Sequence, residues 1–276
     1  MSENIKDILK ELAEINPSCL NIIEEQIDVE VQMNYFKRAN MLRKQVISLD
    51  EALAKVPILY DVDARLEEKR DVLVQLASFD EVEAFRMLEK FKDDAEGEIK
   101  LWAAMAYRES KMQLQGALLE QNQILIASGL GGKGTSLRYF VVVAKRDNTP
   151  FNEFQDRVLR EELADAVEAN QAELESIEIV DYYAKILVLV PLQTNVADLI
   201  GSVGKECYEY GDFLREQVVI TNVRVLTDME IIDVLAGKMD EDDLTALDDT
   251  HLPYFDVDDD DEFDDDEDFE DGGDDE

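Results

Sequence analysis

Along the first part of the chain, apolar residues recur every three or four positions. Ile5, Ile8, Leu9, Leu12 and Ile15 open the series, Pro17 interrupts it, and residues 20–46 carry it on. That spacing places side chains on one face of a helix. Ser48 followed by Glu51 predicts a capping box, and Pro57 is expected to end the short helix it opens. Three more helices are predicted at 66–76, 82–91 and 96–118. Residues 1–120 therefore read as an all-helical domain.

After Gln121 the period changes. Residues 124–127 and 137–145 are rich in β-branched and aromatic side chains and read as strands on either side of a glycine loop. Thr149 before Pro150 predicts a helix start, and Phe151, Phe154, Val158, Leu159, Leu163 and Val167 give that helix its apolar face. Strands at 174–180 and 183–190, a helix from Val196 to a stop near Gly211, and a strand at 217–226 follow. A second capping box, Thr227 with Glu230, opens a last helix that Gly237 terminates.

The order strand, helix, strand, strand, helix, strand over 137–226 resembles the ferredoxin-like βαββαβ arrangement. The helical part, with Asp93 and Asp94 ahead of Ala104 and Ala106, resembles a HEAT-type helix pair. No repeat recurs at the roughly 40-residue period of such arrays, so an ordinary bundle is the competing expectation. The expected class is α+β: a helical domain over 1–120, bundle or HEAT-like, a ferredoxin-like domain with an antiparallel sheet over 121–239, and an acidic tail over 240–276.

Charge changes the picture more than any motif. The chain has 66 acidic against 27 basic residues, a formal net charge of −39. From Asp240 onward 22 residues are acidic and none is Lys or Arg, so the body is acidic as well. Such a chain repels phosphate backbones and anionic lipid at long range, which disfavours direct binding of nucleic acid or membrane. The tail carries few apolar residues among many like charges, too few to offset the entropy of ordering, and is expected to be disordered. Its interleaved Tyr254, Phe255, Phe263 and Phe269, with Asp258, Asp259 and Asp264 between them, combine aromatic anchors with carboxylates. That combination suits a basic, partly apolar groove on a partner protein or ribonucleoprotein.

The second candidate is the glycine loop, where Gly129, Gly131 and Gly134 have GxGxxG spacing. A dinucleotide or P-loop site needs a helix next, and here a strand follows. The remaining readings are a hairpin turn that uses positive φ, an anion or phosphate contact by Gly129, Gly131, Gly132, Lys133, Gly134 and Arg138, and a dock for the chain's own tail. His251 is the single histidine and lies in the tail, so histidine-based acid–base pairs, triads and multi-histidine metal sites are excluded. No other catalytic, cofactor or metal motif emerges, and the expectation is a non-enzymatic protein without cofactor. Two cysteines, Cys19 and Cys207, fit a reducing compartment. The N-terminal residues lack a basic then apolar leader pattern, and the longest apolar run, 186–192, is too short to cross a bilayer. A cytoplasmic location is expected.

Overall fold

The computed structural model describes residues 19–238. The expected helix around Ile5 to Ile15 and the tail from Asp240 lie outside the described residues. Within them the chain is mixed α and β, with a helical region followed by an antiparallel sheet that carries helices.

The helical region comprises α1 (Val29–Arg43), α2 (Leu49–Ala54), α3 (Pro57–Tyr60), α4 (Leu66–Ala77), α5 (Val82–Asp94) and α6 (Ile99–Leu119). Asp28 caps α1 by accepting from the Glu30 amide at 2.8 Å. Ser48 and Glu51 close the capping box of α2. The long α6 packs on α1, α4 and α5. The core between them holds Tyr35, Leu73, Leu76, Leu88 and Met105, all fully buried. Each such side chain contributes about 1.5–3 kcal/mol by leaving water.

Two expectations fail here. Residues 20–22, read as helical, form strand β1 (Leu20–Ile22), which pairs in parallel with β2 (Ile124–Ile126). The pairing overrides local propensity, because both strands bury apolar side chains against Leu137. Pro57 does not end a helix but occupies the first turn of α3, where its missing amide leaves no bond unmade.

The second sheet contains β3 (Gly132–Lys133), β4 (Ser136–Ala144), β5 (Glu173–Val180), β6 (Tyr183–Pro191) and β7 (Val219–Thr221). Its strands run β5, β6, β4, β7, all antiparallel, with the short β3 on the same edge of β4 as β7. Helix α7 (Glu153–Ala169) joins β4 to β5, and α8 (Val196–Glu209) joins β6 to β7. Both cover one face, where Val141, Val143, Ile186 and Val188 meet Leu159, Leu163, Ile200 and Val203. On the other face, Phe140, Val142 and Tyr183 meet Leu130, Leu226 and two residues of α9 (Asp228–Leu235), Ile231 and Val234. Strand β4 is therefore covered on both sides, which explains its unbroken apolar run in place of alternation.

Helix α7 starts three residues beyond Pro150, capped by Asn152 and Gln155. The last strand is also shorter than 217–226. Thr221 Oγ1 accepts the Val223 amide at 3.1 Å, and Asn222 turns its carbonyl to the Leu130 amide at 2.9 Å, so the chain leaves the sheet after Thr221.

Candidate functional site

The glycine loop follows β2 and is a joint rather than an open cradle. Gly129, Gly131 and Gly132 are buried, and Gly134 is exposed. A Cβ on Gly129 would strike the Val223 carbonyl, and one on Gly131 would meet the Glu24 carbonyl oxygen at 2.5 Å. Gly131 and Gly134 have φ of +68° and +60°, the left-handed region that glycine enters without cost. Two backbone donors are committed: Leu130 N to Asn222 O at 2.9 Å and Gly131 N to Ser128 O at 3.1 Å. From α1, buried Gln32 donates to Ser128 O at 3.0 Å. Three segments thus converge on the loop, from the helical region, the strand β1 exit and the end of β7.

Its cations are committed too. Lys133 Nζ lies 2.7 Å from Glu173 Oε2. Arg138 forms a two-pronged pair with Glu175, at 2.5 and 2.7 Å, and donates to the Leu130 carbonyl at 2.7 Å. The Glu175 hydrogen bond, followed by its charge, holds the guanidinium more firmly protonated than usual. An anion at this loop competes with Glu173 and Glu175 for these cations. Lys145, which follows β4, is buried and donates to Thr149 Oγ1 at 2.6 Å and to Pro150 O at 3.1 Å.

A different site, absent from the sequence reading, lies in the helical region. Between the C-terminal ends of α1 and α4 and the middle of α6 there is a cavity of about 500 Å³, walled by Phe36, Leu42, Val74, Phe79 and Met112. Its polar floor is built on Glu109, whose side chain is 2% exposed. Tyr35 donates its hydroxyl to Glu109 Oε2 at 2.5 Å, and Arg43 pairs with Oε1. Burial pulls the Arg43 guanidinium down and pushes the Tyr35 phenol up, with Arg43 partly opposing the latter. Gln75, at the cavity wall, accepts from Lys55 Nζ at 3.0 Å. The arrangement offers an apolar trough with a cation at its rim. A signal for it stands in the sequence: Trp102, Met105, Glu109 and Met112 share one helical stripe, and Glu109 is the charged member of it.

The predicted partner contacts Tyr254, Phe255, Asp258, Asp259, Phe263, Asp264 and Phe269 all lie beyond residue 238, outside the described residues. Among the described residues, no group of three or more His, Cys, Asp or Glu is placed to hold a metal ion, and no helix is long and apolar enough to cross a membrane. Cys19 and Cys207 are buried free thiols. Burial, with Glu162 and Glu206 nearby, pushes the Cys207 thiol up to about 11.

No family model matches the chain, and no curated protein does. Solved structures with a similar partial fold include a protein described as a transposase from Deinococcus radiodurans R1. It is 17% identical, with a TM-score of 0.31, over 39% of this chain and 95% of that one. Another is a REP-associated tyrosine transposase bound to a REP hairpin, at 12% identity and a TM-score of 0.29, over 37% of this chain and 69% of that one. The expectation of a non-enzymatic protein is corrected by these structures, since both are of transposases. Missing histidine motifs exclude only the chemistries that need them, and the wider exclusion is withdrawn. At these TM-scores the likeness carries no argument about substrate or ligand.

Proposed function

We propose that the chain is a binding and regulatory protein whose acidic, aromatic-bearing tail engages a basic protein or ribonucleoprotein surface, as a chaperone or a mimic of nucleic-acid charge. The observation that carries this reading is how the body uses its cations. Arg38 pairs with Asp71, Arg70 with Glu67 and Glu98, Arg108 with Glu24 and Glu25, Arg138 with Glu175, Lys185 with Glu178 and Asp228, and Arg224 with Glu230. The body's basic side chains are largely spent on its own carboxylates, while the tail from Asp240 has none of its own. A cationic counterpart for 22 carboxylates is best supplied from outside. The two buried free thiols support a reducing, cytoplasmic setting.

The strand order β7, β4, β6, β5, with α7 and α8 on one face, supports assigning the second half to the ferredoxin-like fold. The central position of α6 against three other helices supports a bundle over a repeat array, in which each unit touches only its neighbours.

The test is affinity capture with the full chain and with a chain lacking residues 240–276, at low and high salt. Loss of a basic partner on truncation, and weakening with salt, is the expected result. Retention of every partner by the truncated chain overturns the reading. The rival, an anionic metabolite at Gly129 to Gly134, predicts a thermal shift worth roughly 2.7 kcal/mol at a hundredfold its dissociation constant.

A further inference from the structure

The cavity beside Arg43 has no role in the reading above. Arg43 lines it, Lys44 follows Arg43 in the chain, and Lys55 reaches Gln75 of its wall. Arg43 leaves a third of its side chain exposed while reaching down to Glu109. Lys55 spends its ammonium on the Gln75 amide, and neither Lys44 nor Lys55 forms an ion pair among the described residues. Beside them Val46 is fully exposed, at 104%, next to the half-buried Ile47. A partly apolar trough with Arg43 at its rim marks an interaction surface.

We propose that this trough is the intramolecular dock of the chain's own tail, with residues 252–255 as the occupant. Leu252, Pro253, Tyr254 and Phe255 are the tail's densest apolar cluster, and Asp248, Asp249 and Asp256 flank it. The rings match the walls of Phe36, Val74, Phe79 and Met112, and the flanking carboxylates match Arg43 in the lining and Lys55 behind Gln75. The tether is long enough. The span from Lys238 to Tyr254 reaches up to about 50 Å when extended, whereas a folded body of this size has a radius of gyration of about 17 Å. Tethering also keeps the segment at an effective concentration on the order of millimolar, so a weak contact suffices. The glycine loop is the poorer dock, because the Leu130 and Gly131 amides and the Lys133 and Arg138 side chains already have partners. Docking withdraws Tyr254 and Phe255 from any partner until a sufficiently basic surface competes for them. That regulatory consequence rests on the proposed role of the tail, but the docking itself does not.

The experiment uses the full chain with p-benzoylphenylalanine in place of Tyr254, irradiated without any partner. The expected result is an adduct within one chain, mapped by peptide mass spectrometry to the trough, at Phe79 or Met112. Val46→Asp, a change at a fully exposed position, is expected to lower the adduct yield at least about threefold, since it adds a like charge at the trough's edge. Adducts that map to another surface, appear only between two chains, or fail to form each overturn the proposal. If docking fails while truncation of the tail still loses the partner, the proposed function stands without this regulation.

Discussion

Tyr183 donates its hydroxyl to Asp228 Oδ1 at 2.9 Å and so ties the start of β6 to the first turn of α9. Lys185 reaches the same oxygen at 3.0 Å. The phenol is pushed up to about 12 by burial and by Asp228, while Lys185, then Tyr183, holds the Asp228 carboxyl below its usual range. Tyr183→Phe keeps the ring among Phe140 and Val142 and removes one bond. A loss of about 1 kcal/mol in chemical denaturation is expected, with faster amide exchange in α9.

The glycines of the loop are not equivalent. Gly129→Ala drives a methyl group into the Val223 carbonyl, and a cost of about 3 kcal/mol, at the upper end for overpacking, is expected. Gly134→Ala meets nothing within 4 Å and carries only the strain of φ +60°, about 1 kcal/mol. Denaturation midpoints of the two variants decide whether close approach or conformation governs.

The Tyr35, Glu109 and Arg43 cluster acts as a unit. Glu109→Gln leaves Arg43 without its buried counter-charge. Breaking a fully buried pair costs about 3–5 kcal/mol. With Arg43 one third exposed, a loss of about 2 kcal/mol is expected. Tyr35→Phe alone should cost about 1.5 kcal/mol, because the carboxylate loses a donor. The double variant should cost less than the sum of the two, a coupling that a denaturation cycle measures.

Acid should loosen α9 through Glu230. Arg224 grips that carboxylate at 2.6 and 3.0 Å, Thr227 adds two more hydrogen bonds, and the group is pulled down to about 2. Its folded value lies below the ordinary carboxylate value of about 4.3. The stabilisation is therefore full above about pH 5 and is lost as pH falls toward 2. Wild type should exceed Glu230→Gln in stability at pH 7, and the gap should close near pH 2. A gap that does not change with pH would count against this role.

Much of the fold was legible because the signals were local. The capping boxes at Ser48 with Glu51 and at Thr227 with Glu230, and the apolar faces of α7 and α8, need only neighbouring residues to form. What was hidden depends on partners distant in sequence. Strand β1 is a strand because residues about a hundred positions away lie beside it, and β7 stops early because Asn222 turns to Leu130. The trough was invisible for the same reason, since it joins the end of α1 to α4 and α6. Only the misplaced charge of Glu109 hinted at it. At the glycine loop the sequence leaves a turn and an anion contact both open, because close approach and ligand binding both call for glycine.

The parallel pairing of β1 with β2 has a consequence for how the molecule is assembled. All six helices from α1 to α6 leave and re-enter through two strands that lie side by side, Leu20 against Ile124 and Ile22 against Ile126. Closing a loop of that length costs on the order of 4 kcal/mol in chain entropy, so the strands should zip up only after the helices have packed. A unit with adjacent ends is also portable. The stretch between them has the geometry of an inserted module, suited to grafting into a surface turn of another protein without separating the host's chain ends.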